Sequence, residues 1–122
     1  MIGFTSSQRY YLSRQAADMR KSYDGLGGVV RQGLGRDPLS GEVFIFLNRR
    51  RTMVKLLVWD RSGFVIWGKR LERGTFELPQ CSEPGASIVL SWEELVLILE
   101  GVSLGSVRHR KRYSRPQAAV TL

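Results

Sequence analysis

Three apolar runs separated by two short polar connections constrain this chain more than anything else in it. Residues 42–48, 53–60 and 64–70 are rich in Val, Ile, Phe and Trp and have similar lengths, the pattern of strands. Asn48-Arg49-Arg50-Arg51-Thr52 joins the first two, and Asp60-Arg61-Ser62-Gly63 joins the next two as a glycine-closed tight turn. Connections this short favour antiparallel neighbours, so the runs predict a meander. In the middle run, Val54, Leu56 and Val58 point one way, and Lys55, Leu57 and Trp59 the other. The first face is wholly apolar and is the expected core side.

Other segments attach to this meander. Tyr10-Tyr11-Leu12-Ser13 reads as a short first strand. Residues 22–34 read as a helix, with Tyr23, Leu26, Val30 and Leu34 on one face. Asp18 or Ser22 is placed to cap its start, and Gly35 with Asp37-Pro38 to stop it. Gly25, Gly27, Gly28 and Gly33 weaken that helix by up to ~1 kcal/mol each against alanine, so it needs tertiary packing. The same glycines would let it lie close to a sheet. Residues 75–78 read as a short strand extension ended by Pro79, 80–85 as a loop around Cys81, and 86–90 as another strand.

Ser91-Trp92-Glu93-Glu94 has the form of a capping box, in which serine and the glutamate three residues later satisfy free amides reciprocally. The helix it opens continues to Glu100 and ends at Gly101. Its run from Leu95 to Leu99 is too apolar for a one-sided surface helix, which implies deep burial or an interface. The expected fold class is α+β: one domain over residues 1–105, with an antiparallel sheet of three to five strands packed with two helices. Residues 106–122 read as a basic, disordered tail.

The chain's 122 residues suit one domain, and no apolar run approaches the ~20 residues that span a bilayer. The N-terminus lacks a signal-peptide core, and the single cysteine, Cys81, cannot form an intrachain disulfide. A cytoplasmic protein with no membrane partner is expected. Net charge is +8, and its distribution says more than its total. Residues 1–79 carry 14 basic against 7 acidic side chains, while 80–105 hold four glutamates and no base. The tail adds five further positive charges. Such segregation favours a polyanionic partner.

Catalytic chemistry has little to stand on. His109 is the only histidine and lies in the tail, so neither a Ser-His-Asp nor a Cys-His arrangement is expected. One cysteine and one histidine do not make a structural zinc site. Gly25-Leu26-Gly27-Gly28 falls inside a helix with no strand leading into it, unlike a dinucleotide fingerprint. Asp18, Asp24, Asp37 and Asp60 are favoured as cap or turn residues over magnesium ligands. The chain is expected to be no enzyme and to need no cofactor.

Several ordered segments carry a family resemblance. They are Asp-Met-Arg-Lys-Ser-Tyr-Asp-Gly-Leu at 18–26, Asp-Pro-Leu-Ser-Gly-Glu-Val-Phe-Ile-Phe at 37–46, the arginine loop, and Lys-Leu-Leu-Val-Trp-Asp at 55–60. Gly63-Phe64, Lys-Arg-Leu-Glu-Arg-Gly-Thr-Phe at 69–76, Leu-Ser-Trp-Glu-Glu-Leu at 90–95 and Leu99-Glu100-Gly101 follow. In this order they resemble the small accessory proteins, often called TnpB, of bacterial insertion sequences of the IS66 family. The resemblance spans roughly residues 3–104. It implies a protein made beside a separate, larger transposase and needed for efficient transposition, with any strand chemistry belonging to that partner. The RNA-guided nuclease of the same name is unrelated and needs a carboxylate cluster for which this chain has no room.

Two functional readings follow. In the first, the protein binds DNA through phosphates. Arg49, Arg50 and Arg51 project from a hairpin tip, Arg20 and Lys21 lie near a helix start, and Lys55, Lys69, Arg70 and Arg73 lie near strand ends. In the second, the protein is an adaptor that docks on the transposase or self-associates, through the apolar helix at 92–99 and the aromatic candidates Trp59 and Trp67. Blander uses compete for single residues: an Arg70–Glu72 surface ion pair, an inert Cys81, and a Lys55 that snorkels at a sheet edge.

Overall fold

The alternation along the three apolar runs becomes three hydrogen-bonded strands in the computed structural model, which describes residues 4–101. In chain order the elements are β1 (Tyr10–Ser13), α1 (Tyr23–Gly28), β2 (Val43–Leu47), β3 (Met53–Asp60), β4 (Gly63–Arg70), β5 (Ser87–Leu90) and α2 (Trp92–Leu99). One π-helical turn, Val29–Gly33, extends α1. The five strands form one sheet in the order β4-β3-β2-β1-β5. β2, β3 and β4 make the expected antiparallel meander, with Ile45 opposite Leu56 and Leu56 opposite Trp67. β5 is antiparallel to β1, so the strand expected at 86–90 forms over Ser87–Leu90.

One pairing departs from the all-antiparallel expectation. β1 runs parallel to β2, with Tyr11 beside Phe44. A parallel pair needs a crossover, and α1 with its π-helical turn supplies it. The sequence of a four-residue strand does not contain this information, because pairing direction depends on where the connection returns.

The second departure concerns the core. Val54, Leu56 and Val58 do face an apolar cluster, built with Leu12, Ile45, Phe76 and the α2 residues Leu95 and Ile98. The opposite face is buried as well: Leu57 joins Tyr11, Phe44, Phe46 and the α1-side residues Leu26 and Val30 in a second cluster. The sheet is therefore covered by helix on both sides. Burying a large apolar side chain contributes about 1.5–3 kcal/mol, so both helices are held mainly by packing.

The helix ends differ in how they are made. At α2 the capping box is complete: Ser91 Oγ accepts from the Glu94 amide, and Glu94 Oε1 accepts from the Ser91 amide, both at 3.0 Å. Gly101, at φ 80°, closes that helix in the left-handed region open to glycine. At α1 neither expected cap is used. Ser22 stands at the N-cap without a side-chain hydrogen bond, and the Asp18 carboxylate is taken by Arg20. Nor do the four glycines mould the helix to the sheet. A Cβ on Gly25 would crowd the Lys21 stem at 3.0 Å, whereas one on Gly27 would stand an ordinary 3.7 Å from Phe64 and one on Gly28 would meet only open space.

Residues 75–78 form no strand. Phe76 instead plugs the core, fully buried, and ties the chain back to the β2–β3 turn. Trp59 and Trp67 are half-buried, Trp59 edge-on to Phe64 and Trp67 against the main core, so neither is an exposed aromatic. No helix among the described residues is long and apolar enough to cross a membrane. The tail at 106–122 lies outside the described residues.

Candidate nucleic-acid interface

The arginine turn is rigid because of the residue that precedes it. Asn48 Oδ1 accepts from the amides of Thr52 (2.8 Å) and Met53 (3.0 Å), and its Nδ2 donates to Thr52 Oγ1 at 3.0 Å. The Arg51 amide donates to the Asn48 carbonyl at 3.0 Å, closing the turn. This geometry places Arg51 at φ 59°, a left-handed conformation that costs a residue with a Cβ roughly 1–2 kcal/mol. Asn at the head of a turn is the residue type suited to such side-chain-to-backbone bonds.

The chain after β4 folds back onto the same turn. Leu71 donates to the Thr52 carbonyl at 2.8 Å and Phe76 to the Arg51 carbonyl at 2.7 Å. Arg73 lies between these two anchors and is thereby held at the arginine-turn end of the sheet. Arg70 is there too, since it pairs with Met53 at the start of β3. The guanidiniums of Arg49, Arg50, Arg51 and Arg73 belong to exposed residues that make no side-chain hydrogen bond or ion pair among the described residues.

All but one of the remaining basic candidates have partners within the protein. Lys55 Nζ donates to the carbonyls of Met19 (2.8 Å) and Lys21 (2.9 Å), fastening the approach to α1 onto the sheet. Lys69 Nζ donates to the Leu99 carbonyl at 2.6 Å, satisfying an acceptor at the end of α2. Arg20 forms a forked pair with Asp18, at 2.7 Å for its closest approach, which holds the Asp18 carboxyl at about 2. Arg70 pairs with Glu72 at 3.3 Å, both exposed. Lys21 stays exposed and borders a hollow of about 320 Å³ beside Asp18 and the π-helical turn.

One basic residue escaped the sequence reading. Arg14 follows β1 directly and lines a crevice of about 510 Å³ together with Arg49, Arg51, Leu47 and Leu78. The Ala17 amide donates to the Leu47 carbonyl at 2.8 Å, drawing the segment after β1 across the end of β2. The crevice therefore lies outside the carboxyl ends of the two parallel strands. Arg14 Nη2 donates to the backbone carbonyls of Cys81 and Glu83, while its Nε is buried without an acceptor among the described residues. The signal in the sequence is a lone arginine after a strand. Its value depends on the parallel pairing, which local patterns do not reveal.

Among the described residues no three His, Cys, Asp or Glu side chains cluster as a metal site would need. Asp37 serves a turn, accepting the Leu39 amide at 2.9 Å, and Cys81 is exposed and unbonded to another cysteine.

The sequence matches the model of the IS66 Orf2-like proteins over residues 8–109. The chain belongs to this family. Two relatives from Sinorhizobium fredii (strain NBRC 101917 / NGR234), the uncharacterized proteins y4jC and y4hO, are each 32% identical over 116 residues. The match covers 95% of this chain in both cases, and 97% and 96% of the relatives. No solved structure matches it. The IS66 Orf2-like proteins are accessory proteins of insertion sequences, and the crevice and arginine turn lie within the matched residues.

Proposed function

We propose that this IS66 Orf2-like protein is a non-catalytic transposition accessory that binds DNA phosphates through the basic end of its sheet. The observation that carries the reading is the arginine turn. Three consecutive guanidiniums stand exposed on a turn locked by Asn48 and Phe76, with no partner among the described residues. A planar guanidinium presents two donors to phosphate oxygens, and a rigid mount lowers the entropy lost on binding. Arg73 and Arg14, the latter held by two backbone carbonyls, extend the positive surface on either side, whereas the Lys55 and Lys69 ammoniums are taken up by carbonyls elsewhere in the fold and Arg20 and Arg70 sit in surface ion pairs. The interface comprises Arg14, Arg49, Arg50, Arg51 and Arg73, with Lys21 at its margin.

Binding of this kind depends on counterion release. A titration of duplex DNA over a series of salt concentrations should give a linear log–log plot, with a slope of about 0.9 per phosphate bound. Binding that is absent at low salt, or insensitive to salt, would contradict the proposal.

A second reading is an adaptor that docks on the transposase or on another copy. It draws on Val89, which is 67% exposed on β5 at the open edge of the sheet. An open edge offers unpaired backbone groups to a partner strand. Light scattering after size exclusion, with Val89→Lys as the comparison, tests self-association. A wild-type monomer at all concentrations argues against that form of it.

A further inference from the structure

We infer that the crevice between segment 13–16 and the arginine turn seats one phosphate, with its attached deoxyribose, from an unpaired DNA strand. The inference rests on the DNA-binding reading above and specifies the form of DNA that this end of the sheet prefers.

Three arginines line the crevice, from the two segments that flank it. Arg14 lines one wall and Arg49 and Arg51 the other, while Leu47 and Leu78 supply apolar lining. Several converging donors suit a tetrahedral anion with multiple acceptor oxygens, and the apolar lining suits the carbon face of a sugar. Arg14 is already oriented by the Cys81 and Glu83 carbonyls, which hold its guanidinium through Nη2.

Size and shape separate this from ordinary duplex binding. The crevice holds about 510 Å³, within the roughly 300–1,000 Å³ of small-ligand clefts and enough for one nucleotide unit. A base-paired backbone can lie across the exposed tip, but it cannot send a sugar and phosphate into a cleft without leaving the double helix. No aromatic side chain lines the crevice, so seating depends on backbone and sugar and is tolerant of base identity.

Arg51 adds an independent observation. It holds a left-handed conformation at φ 59° that glycine adopts without steric cost. Strained backbone of this kind clusters at ligand-binding sites. It also provides a clean variant, because Arg51→Gly removes the guanidinium while relieving the turn.

The test is fluorescence anisotropy of the full chain with a blunt duplex and with one of its separated strands, in the same buffer. Counterion release alone favours the duplex, with its steeper salt dependence. The crevice predicts the reverse, a single strand bound at least about fivefold more tightly, a difference near 1 kcal/mol. Arg51→Gly and Ala16→Leu, the latter filling the crevice without changing charge, should each bring the ratio of the two affinities to the duplex side. Arg14→Gln should do the same, with a thermal melt to separate weakened binding from weakened folding. A wild-type protein that binds duplex as tightly as single strand overturns the crevice assignment and leaves DNA binding standing. An undiminished single-strand preference in Ala16→Leu also overturns it, and absence of binding to either probe overturns both readings.

Discussion

The Phe76 amide donates to the Arg51 carbonyl at 2.7 Å, joining a fully buried ring to the most strained residue of the arginine turn. The position of the basic surface thus depends on a core side chain from a loop that carries no regular structure. Phe76→Ala should cost about 3–5 kcal/mol in a chemical-denaturation experiment, the range for removing a buried aromatic ring. A loss below about 1 kcal/mol would mean that the loop does not plug the core as described.

Lys55 distinguishes an internal role from a DNA-binding one. Its ammonium serves the Met19 and Lys21 carbonyls, so Lys55→Met should lower stability by about 1–2 kcal/mol. The salt dependence of DNA binding should not change. A lysine bound to phosphate would show the opposite pattern, a slope reduced by about 0.9 with stability retained.

The capping box at α2 allows a local test. Ser91→Ala removes the acceptor of the Glu94 amide and should cost about 1 kcal/mol, within the usual range for an N-cap. Thermal unfolding followed by circular dichroism would register it. An unchanged midpoint would indicate that α2 is held by Leu95 and Ile98 alone.

Acid stability should depend on Glu42. Burial pushes its carboxyl upward, but hydrogen bonds from Arg36, Ser40 and Tyr11 more than offset this, so its pKa is lowered. A carboxyl lowered on folding contributes stability that is fully present above its unfolded value and fades as pH falls through the folded one. Glu42→Gln should therefore flatten the loss of stability with falling pH below the ordinary glutamate range. Equal acid limbs in denaturation curves of the two proteins would contradict the pairing. Asp18, held at about 2 by Arg20, titrates in the same sense on an exposed pair.

Legibility in the sequence follows the range of the interactions. The meander and the capping box are readable because alternation, tight turns and Ser-x-x-Glu act within a few residues. The parallel β1–β2 pair is not, since its direction is fixed by a crossover that local patterns do not encode. Burial of Leu57 on the second face needs the same crossover, which brings Leu26 and Val30 over it. The basic residues divide in the same way. Arg49, Arg50 and Arg51 lie on the turn that their flanking strands predict, but Lys55 and Lys69 find carbonyl partners at Met19 and Leu99, far along the chain. Arg14 becomes a candidate only once β1 is set beside β2.

The most direct test of the central claim is the salt slope of duplex binding for Arg49→Ala/Arg50→Ala/Arg51→Ala against the wild type, at matched stability. The slope should fall by about 2 to 3, since each phosphate that a guanidinium neutralises contributes about 0.9. A slope unchanged by removal of all three guanidiniums would contradict it.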